Sequence, residues 1–102
     1  MRVIHGGTVK AWAAQYSDAA EALAAWLKNA SQAAWRNLAD VRRIYPHADP
    51  VVVASRRTVV VFNVRGNRYR MVTAIRYNRQ VIYTLRFMTH AEYTKNRWKA
   101  TL

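Results

Sequence analysis

Apolar positions recur at helical spacing in the first half of the chain and alternate in the second. Val9, Trp12, Ala13 and Tyr16 fall at i, i+3, i+4 and i+7, one face of an α-helix that Thr8 can cap after the Gly6-Gly7 break. Ala19, Ala22, Leu23, Trp26, Leu27 and Ala30 form a broader stripe, and Asp18 with Glu21 gives a second helix a capping-box-like start. From Ser31 to Pro46 the pattern shortens to a loop and one short helix. Trp35, Leu38, Val41, Ile44 and Tyr45 are its expected buried positions and Pro46 its stop. His47 and Asp49 fall in the following turn, beside Pro50, and read as solvated turn residues. Met1 to Ile4 alternates weakly, enough for a short edge strand.

After Pro50 the pattern becomes that of a sheet. Arg57 to Val64 is β-branched and mostly apolar, a strand expected to be covered on both faces. Arg65-Gly66-Asn67 turns the chain. Arg68 to Tyr77 then alternates, with Tyr69, Met71, Thr73, Ile75 and Tyr77 on one face and Arg68, Arg70, Val72, Ala74 and Arg76 on the other. After Asn78-Arg79-Gln80, the segment Val81 to Thr89 sets Val81, Tyr83, Leu85 and Phe87 against Ile82, Thr84, Arg86 and Met88. The expected architecture is α+β: a small antiparallel sheet of three to four strands with two or three N-terminal helices on one face.

Facing residues of an antiparallel pair point to the same side, so keeping both apolar sets together pairs Ile75 with Tyr83 and Met71 with Phe87. An unbroken register then sets Val72 opposite Arg86 and Arg68 opposite His90. Arg68, Arg70, Arg86 and His90 are thereby expected on the sheet face away from the helices.

A chain of 102 residues accommodates one domain, 1–102, and its apolar content suffices for a core. Without cysteine it has neither a disulfide framework nor a thiolate metal site. The N-terminus lacks the apolar region of a signal peptide and no run approaches a membrane span, so the expected location is cytoplasmic. The net charge of +12 changes the picture most, because residues 56–102 hold eleven Lys or Arg against Glu92 alone. A one-signed field in half of a small domain attracts polyanions, and nucleic acid is the first candidate partner.

Arginine presents a planar fork that matches two phosphate oxygens, so Arg68, Arg70 and Arg86 on adjacent strands would form a phosphodiester cradle. With Glu92 the only nearby acid, internal ion pairing is not expected to satisfy them. His90 follows the last strand and precedes Tyr93 and Lys95. Imidazole titrates near neutrality, which suits removal of a ribose 2′-OH proton or protonation of a leaving 5′-oxygen. His90, Tyr93 and Lys95 are therefore the candidates for proton transfer. Arg65, Asn67 and Arg76 join Arg68, Arg70, Arg86 and Lys95 as candidate RNA contacts. Scattered His and acidic residues give no metal-ligand spacing, and no phosphate loop or nucleophile elbow is present, so neither metal nor cofactor is expected.

The run from Val60 to Val72 (VVFNVRGNRYRMV), followed by Arg86 to Lys95 (RFMTHAEYTK), resembles the HigB family of toxin-antitoxin toxins. The resemblance extends to the N-terminal half, with its Trp-bearing helices and its Ala-Asp-Val-Arg helix before a Tyr-Pro stop. It implies a RelE-like fold, cleavage of mRNA on translating ribosomes, and neutralisation by a helix-turn-helix antitoxin. By position, the family's basic strand motif falls on Arg68 and Arg70 and its Thr-His-Ala-Glu-Tyr motif on Thr89 to Tyr93. The chain departs from the pattern at Met88 and Thr94, where the family often has Gly and Asp. The alternatives are a non-catalytic RNA- or ribosome-binding module that uses Tyr69 or Tyr77 for stacking, and a basic subunit neutralised by an acidic protein.

Overall fold

The computed structural model describes residues 1–102. The elements run β1 (Arg2–Ile4), α1 (Gly6–Gln15), α2 (Ala20–Gln32), α3 (Leu38–Ile44), β2 (Asp49–Val52), β3 (Thr58–Val64), β4 (Tyr69–Arg76), β5 (Val81–Thr89) and α4 (His90–Thr94). The sheet has five strands in the order β1-β5-β4-β3-β2, one more than the upper expectation of four. The additional strand is β2: Asp49 and Pro50, expected in a turn, pair with Val61 and Val60 of β3. An edge position tolerates Pro50, which has no N–H to donate. β1 runs parallel to β5, so the sheet is mixed rather than wholly antiparallel.

The three N-terminal helices cover one face. Val9 of α1, Leu23, Trp26 and Ala30 of α2, and Val41 of α3 are buried with Val60, Phe62, Val64, Tyr69, Met71 and Ile82 of the sheet. The Trp26 ring meets Phe62 edge-on at 5.5 Å between centroids, so the α2 stripe is core as its spacing demands. Ile44 departs from expectation: it is 51% exposed at the last position of α3. Neither expected cap forms. α1 begins at Gly6 after a left-handed His5, leaving Thr8 inside the helix, and a 3₁₀ turn over Ser17–Ala19 precedes α2. Asp18 sends its carboxylate across to the sheet instead.

The register of β4 and β5 is interrupted. Met71 faces Phe87 and Val72 faces Arg86 as expected, but Thr73 faces Thr84, leaving Leu85 as an extra residue, and Ile75 faces Ile82 rather than Tyr83. A bulge inverts the side-chain parity beyond it. Ile82 accordingly joins the helix-side core, while Leu85 packs on the opposite face.

That opposite face is not bare. After α4 the chain folds back in a 3₁₀ turn over Arg97–Thr101, burying Trp98 against Val53, Val59, Val61, Val72 and Met88. The backbone N–H of Ala54 donates to the Lys99 carbonyl at 3.0 Å, tying this segment to the β2–β3 connection. Met88 is thus a packing residue beneath Trp98. No helix is long and apolar enough to cross a membrane.

Candidate functional site

The two faces of the sheet receive the expected arginines differently. Arg68 lies just before β4, and its guanidinium turns to the helix side, donating to Asp18 at 3.0 Å. Arg65 donates to the same oxygen at 2.6 Å and the Tyr69 hydroxyl to the other at 2.7 Å. These contacts hold the carboxyl of Asp18 below the usual carboxylate range, the Tyr69 hydrogen bond first and Arg68 next. The expectation of unpaired arginines is corrected for Arg68, whose acid arrives from the 3₁₀ turn before α2, distant in sequence, and is shared with Arg65.

Arg70 has no such partner. It is only 8% exposed, and none of the ion pairs in the molecule involves it. Its guanidinium donates to the carbonyls of Asn67 and Tyr69, each at 3.1 Å, and to the Asn67 side-chain oxygen. Those acceptors fix the fork but do not neutralise it. A buried, unpaired cation is unfavourable and seeks an anion.

Tyr93 forms the adjoining wall. Thr89 and Glu92 close a capping box at the start of α4, which sets the short helix on the end of β5. The Tyr93 ring then lies 5.5 Å from the Arg70 guanidinium carbon and stacks on Trp98 at 5.2 Å. Burial, and after it the Asp49 carboxylate, push the Tyr93 phenol up, while Arg70 acts in the opposite sense. A phenol held in this way stays protonated at neutral pH and can donate.

Arg70 and Tyr93 open into a cavity of about 340 Å³ that Arg42, His47, Asp49 and Asn63 also line. Asn63 faces Arg70 across the β3–β4 ladder, and Asp49 faces Val61 on the neighbouring pair. The Nε of Arg42 donates to the Ala48 carbonyl at 3.0 Å, anchoring the helix side chain at the rim. These four residues were missed in the sequence. Reading 47–50 as a turn hid the β2 parity, which sets Asp49 on the face of Asn63 and Arg70.

The other expected residues lie elsewhere. His90 is exposed as the first residue of α4, and its backbone N–H donates to the Arg68 carbonyl at 3.0 Å. Arg86 and Lys95 line a separate depression of about 360 Å³ beside Trp98. Arg76 is exposed at the far end of β4. Asn67 serves as the acceptor that orients Arg70.

The profile of the HigB toxin family, described as the RelE-like toxic component of a toxin-antitoxin system, matches residues 19–96 of the 102-residue chain. The chain belongs to the HigB toxin family. The match spans α2 through α4 and therefore includes every residue lining the Arg70 cavity. No curated protein matches the chain. Membership makes this HigB-family protein the toxin of a toxin-antitoxin system and implies an antitoxin partner. Within the HigB toxin, Tyr69 is buried and Tyr77 half-buried against the helix-side core, so neither offers a face for base stacking.

Proposed function

We propose that this HigB-family toxin is a ribosome-associated, metal-independent endoribonuclease that cleaves mRNA, with Arg70 and Tyr93 at its centre. The observation that carries the reading is the buried, unpaired Arg70 guanidinium 5.5 Å from a phenol kept protonated by its surroundings. In the reaction the ribose 2′-oxygen attacks the adjacent phosphorus, an O2′–P bond forms and the P–O5′ bond breaks. Arg70 faces the non-bridging oxygens, where charge builds in the transition state, and a donor fixed in a desolvated site stabilises that charge most. Tyr93 gives its proton to the leaving 5′-oxygen. The products are a 2′,3′-cyclic phosphate and a 5′-OH end, with the proton of the attacking 2′-OH passing to a base other than these two side chains.

Arg86 and Lys95, in the neighbouring depression, and Arg76 at the far strand end contact the flanking backbone of the message or the ribosome. Arg65 and Arg68 position the β3–β4 hairpin through Asp18. Of the three residues first considered for proton transfer, His90 and Lys95 lie outside the Arg70 cavity and Tyr93 lines it. The partner that neutralises the toxin is a helix-turn-helix antitoxin, and the site of action is cytoplasmic.

The test is reconstitution of the purified protein with ribosomes programmed with a defined mRNA. Cleavage that leaves 5′-OH ends is expected. Tight binding to the programmed ribosome without any cleavage would sink the enzymatic reading and leave a binding module.

A further inference from the structure

A cyclising cleavage needs a group to take the 2′-OH proton, and neither Arg70 nor a protonated Tyr93 can accept one. We infer that His47 is the proton acceptor of this site and that Arg42 is its second phosphate ligand. The inference rests on the endoribonuclease reading above.

Side chains from both the helical half and the sheet converge on the cavity. His47 comes from the turn after α3, Asp49 from β2, Arg70 from β4 and Tyr93 from α4, with Arg42 of α3 at the rim. His47 is the only one of the chain's three histidines that lines it: His5 precedes α1 and His90 opens α4. Imidazole accepts a proton near neutrality and can return it, whereas a carboxylate is a far weaker base, so Asp49 is the poorer acceptor. Asp49 has another effect there, since its charge acts with burial to keep the Tyr93 proton in place.

Arg42 supplies what Arg70 lacks. Its Nε is occupied by the Ala48 carbonyl, the guanidinium enters no ion pair, and the side chain lines the cavity with its terminal nitrogens free of hydrogen bonds. Two unpaired guanidinium groups against one carboxylate leave a net positive pocket of a size suited to a phosphodiester and part of its sugar. The proton balance closes within the site. His47 takes the 2′-OH proton as O2′ bonds to phosphorus, Tyr93 protonates the departing 5′-oxygen, and the imidazolium returns a proton to the phenolate through water.

The experiment compares wild type, His47→Gln, His47→Ala and Arg42→Ala in cleavage of one defined mRNA on ribosomes, across pH. His47 is exposed in a turn, so folding of its variants is expected and is checked by thermal unfolding. His47→Gln should lower the cleavage rate by about 10²- to 10⁴-fold while ribosome binding persists. The acid limb of the rate profile should vanish with it, and added imidazole should restore part of the rate of His47→Ala. Arg42→Ala should chiefly raise KM. A fall of less than about tenfold for His47→Gln, or a variant that loses rate and binding together with an unchanged pH profile, overturns His47 as proton acceptor. If wild type cleaves and both His47 variants do too, the endoribonuclease reading survives and this inference fails; if wild type cleaves nothing, both fail.

Discussion

The Arg70 guanidinium carbon lies 5.5 Å from the centre of the Tyr93 ring, which joins the middle of the sheet to the helix that follows its last central strand. A cation over a phenol ring is stabilised by the ring's negative face. The terminal nitrogens of Arg70 are held by Asn67 and Tyr69, while its Nε and the Tyr93 phenol oxygen carry no hydrogen bond within the molecule. Arg70 is also the residue whose burial the alternation of β4 does not reveal.

That burial alters what its removal does. Alternation alone treats Arg70 as a surface residue whose loss barely affects stability, but three hydrogen bonds tie it to the β3–β4 turn. Arg70→Ala is expected to lower the unfolding free energy by about 1 to 3 kcal/mol, because it leaves the Asn67 and Tyr69 acceptors unpaired. It should also weaken RNA binding and flatten its salt dependence. Urea unfolding and salt titrations of the same preparation check both parts. Unchanged stability would show that the turn does not depend on the guanidinium.

Tyr93→Phe removes one oxygen and keeps both the stack on Trp98 and the ring beneath Arg70. Cleavage should fall by about 10²- to 10⁴-fold with binding retained. Because burial and Asp49 raise the phenol's pKa, the donor form persists above the ordinary tyrosine range, so any alkaline limb of the wild-type profile should lie above about pH 10. An alkaline limb well below that pH would assign it to another group.

Asp18 ties the helices to the hairpin through Tyr69, Arg68 and Arg65. Its folded-state pKa is depressed, so its contribution is present above the ordinary carboxylate pKa and is lost as pH falls below about 4. The Tyr69 pKa is raised, first by its hydrogen bond to Asp18, so that contribution is present at neutral pH and is lost as pH rises past about 10. Asp18→Asn should therefore flatten the pH dependence of stability at both ends, as followed by unfolding across pH. A variant with the wild-type profile would contradict the account of this tie.

Much of the fold was legible in the sequence because burial and periodicity coincide there. The α2 stripe, the β3 run and the alternation of β4 all follow from side chains that must reach one core. Three features were not legible. The bulge at Leu85 depends on the pairing of two strands and not on either alone, and it moves Ile82 to the helix side. Asp18 meets Arg68 across 50 positions of sequence, so no local count of charges could pair them. β2 begins at Asp49-Pro50, a dipeptide with strong turn character, and its strand geometry comes from β3 beside it. The last two together concealed the cavity, because Asp18 occupies Arg68 from a distance and β2 brings Asp49, with His47 just before it, to the side of Arg70.

Trp26 tests the helix-side core. It is 2% exposed against Phe62, and Trp26→Ala should cost about 3 to 5 kcal/mol, enough to unfold much of a domain this small. Its indole N–H has no partner, so Trp26→Phe should cost clearly less. Differential scanning calorimetry reads both, and a native melting temperature for the alanine variant would mean the ring is not packed.

Cleavage of message by attack of the ribose 2′-oxygen is tested most directly by the chemistry of the ends it creates. Induced expression in a bacterial host, with selective capture of 5′-OH ends across the transcriptome, is the measurement. New 5′-OH ends within coding regions are expected with wild type, their 3′ counterparts carrying cyclic phosphate, and they should be nearly absent with Tyr93→Phe produced at the same level. Growth arrest without new ends, or new ends bearing 5′-phosphate, would contradict the account.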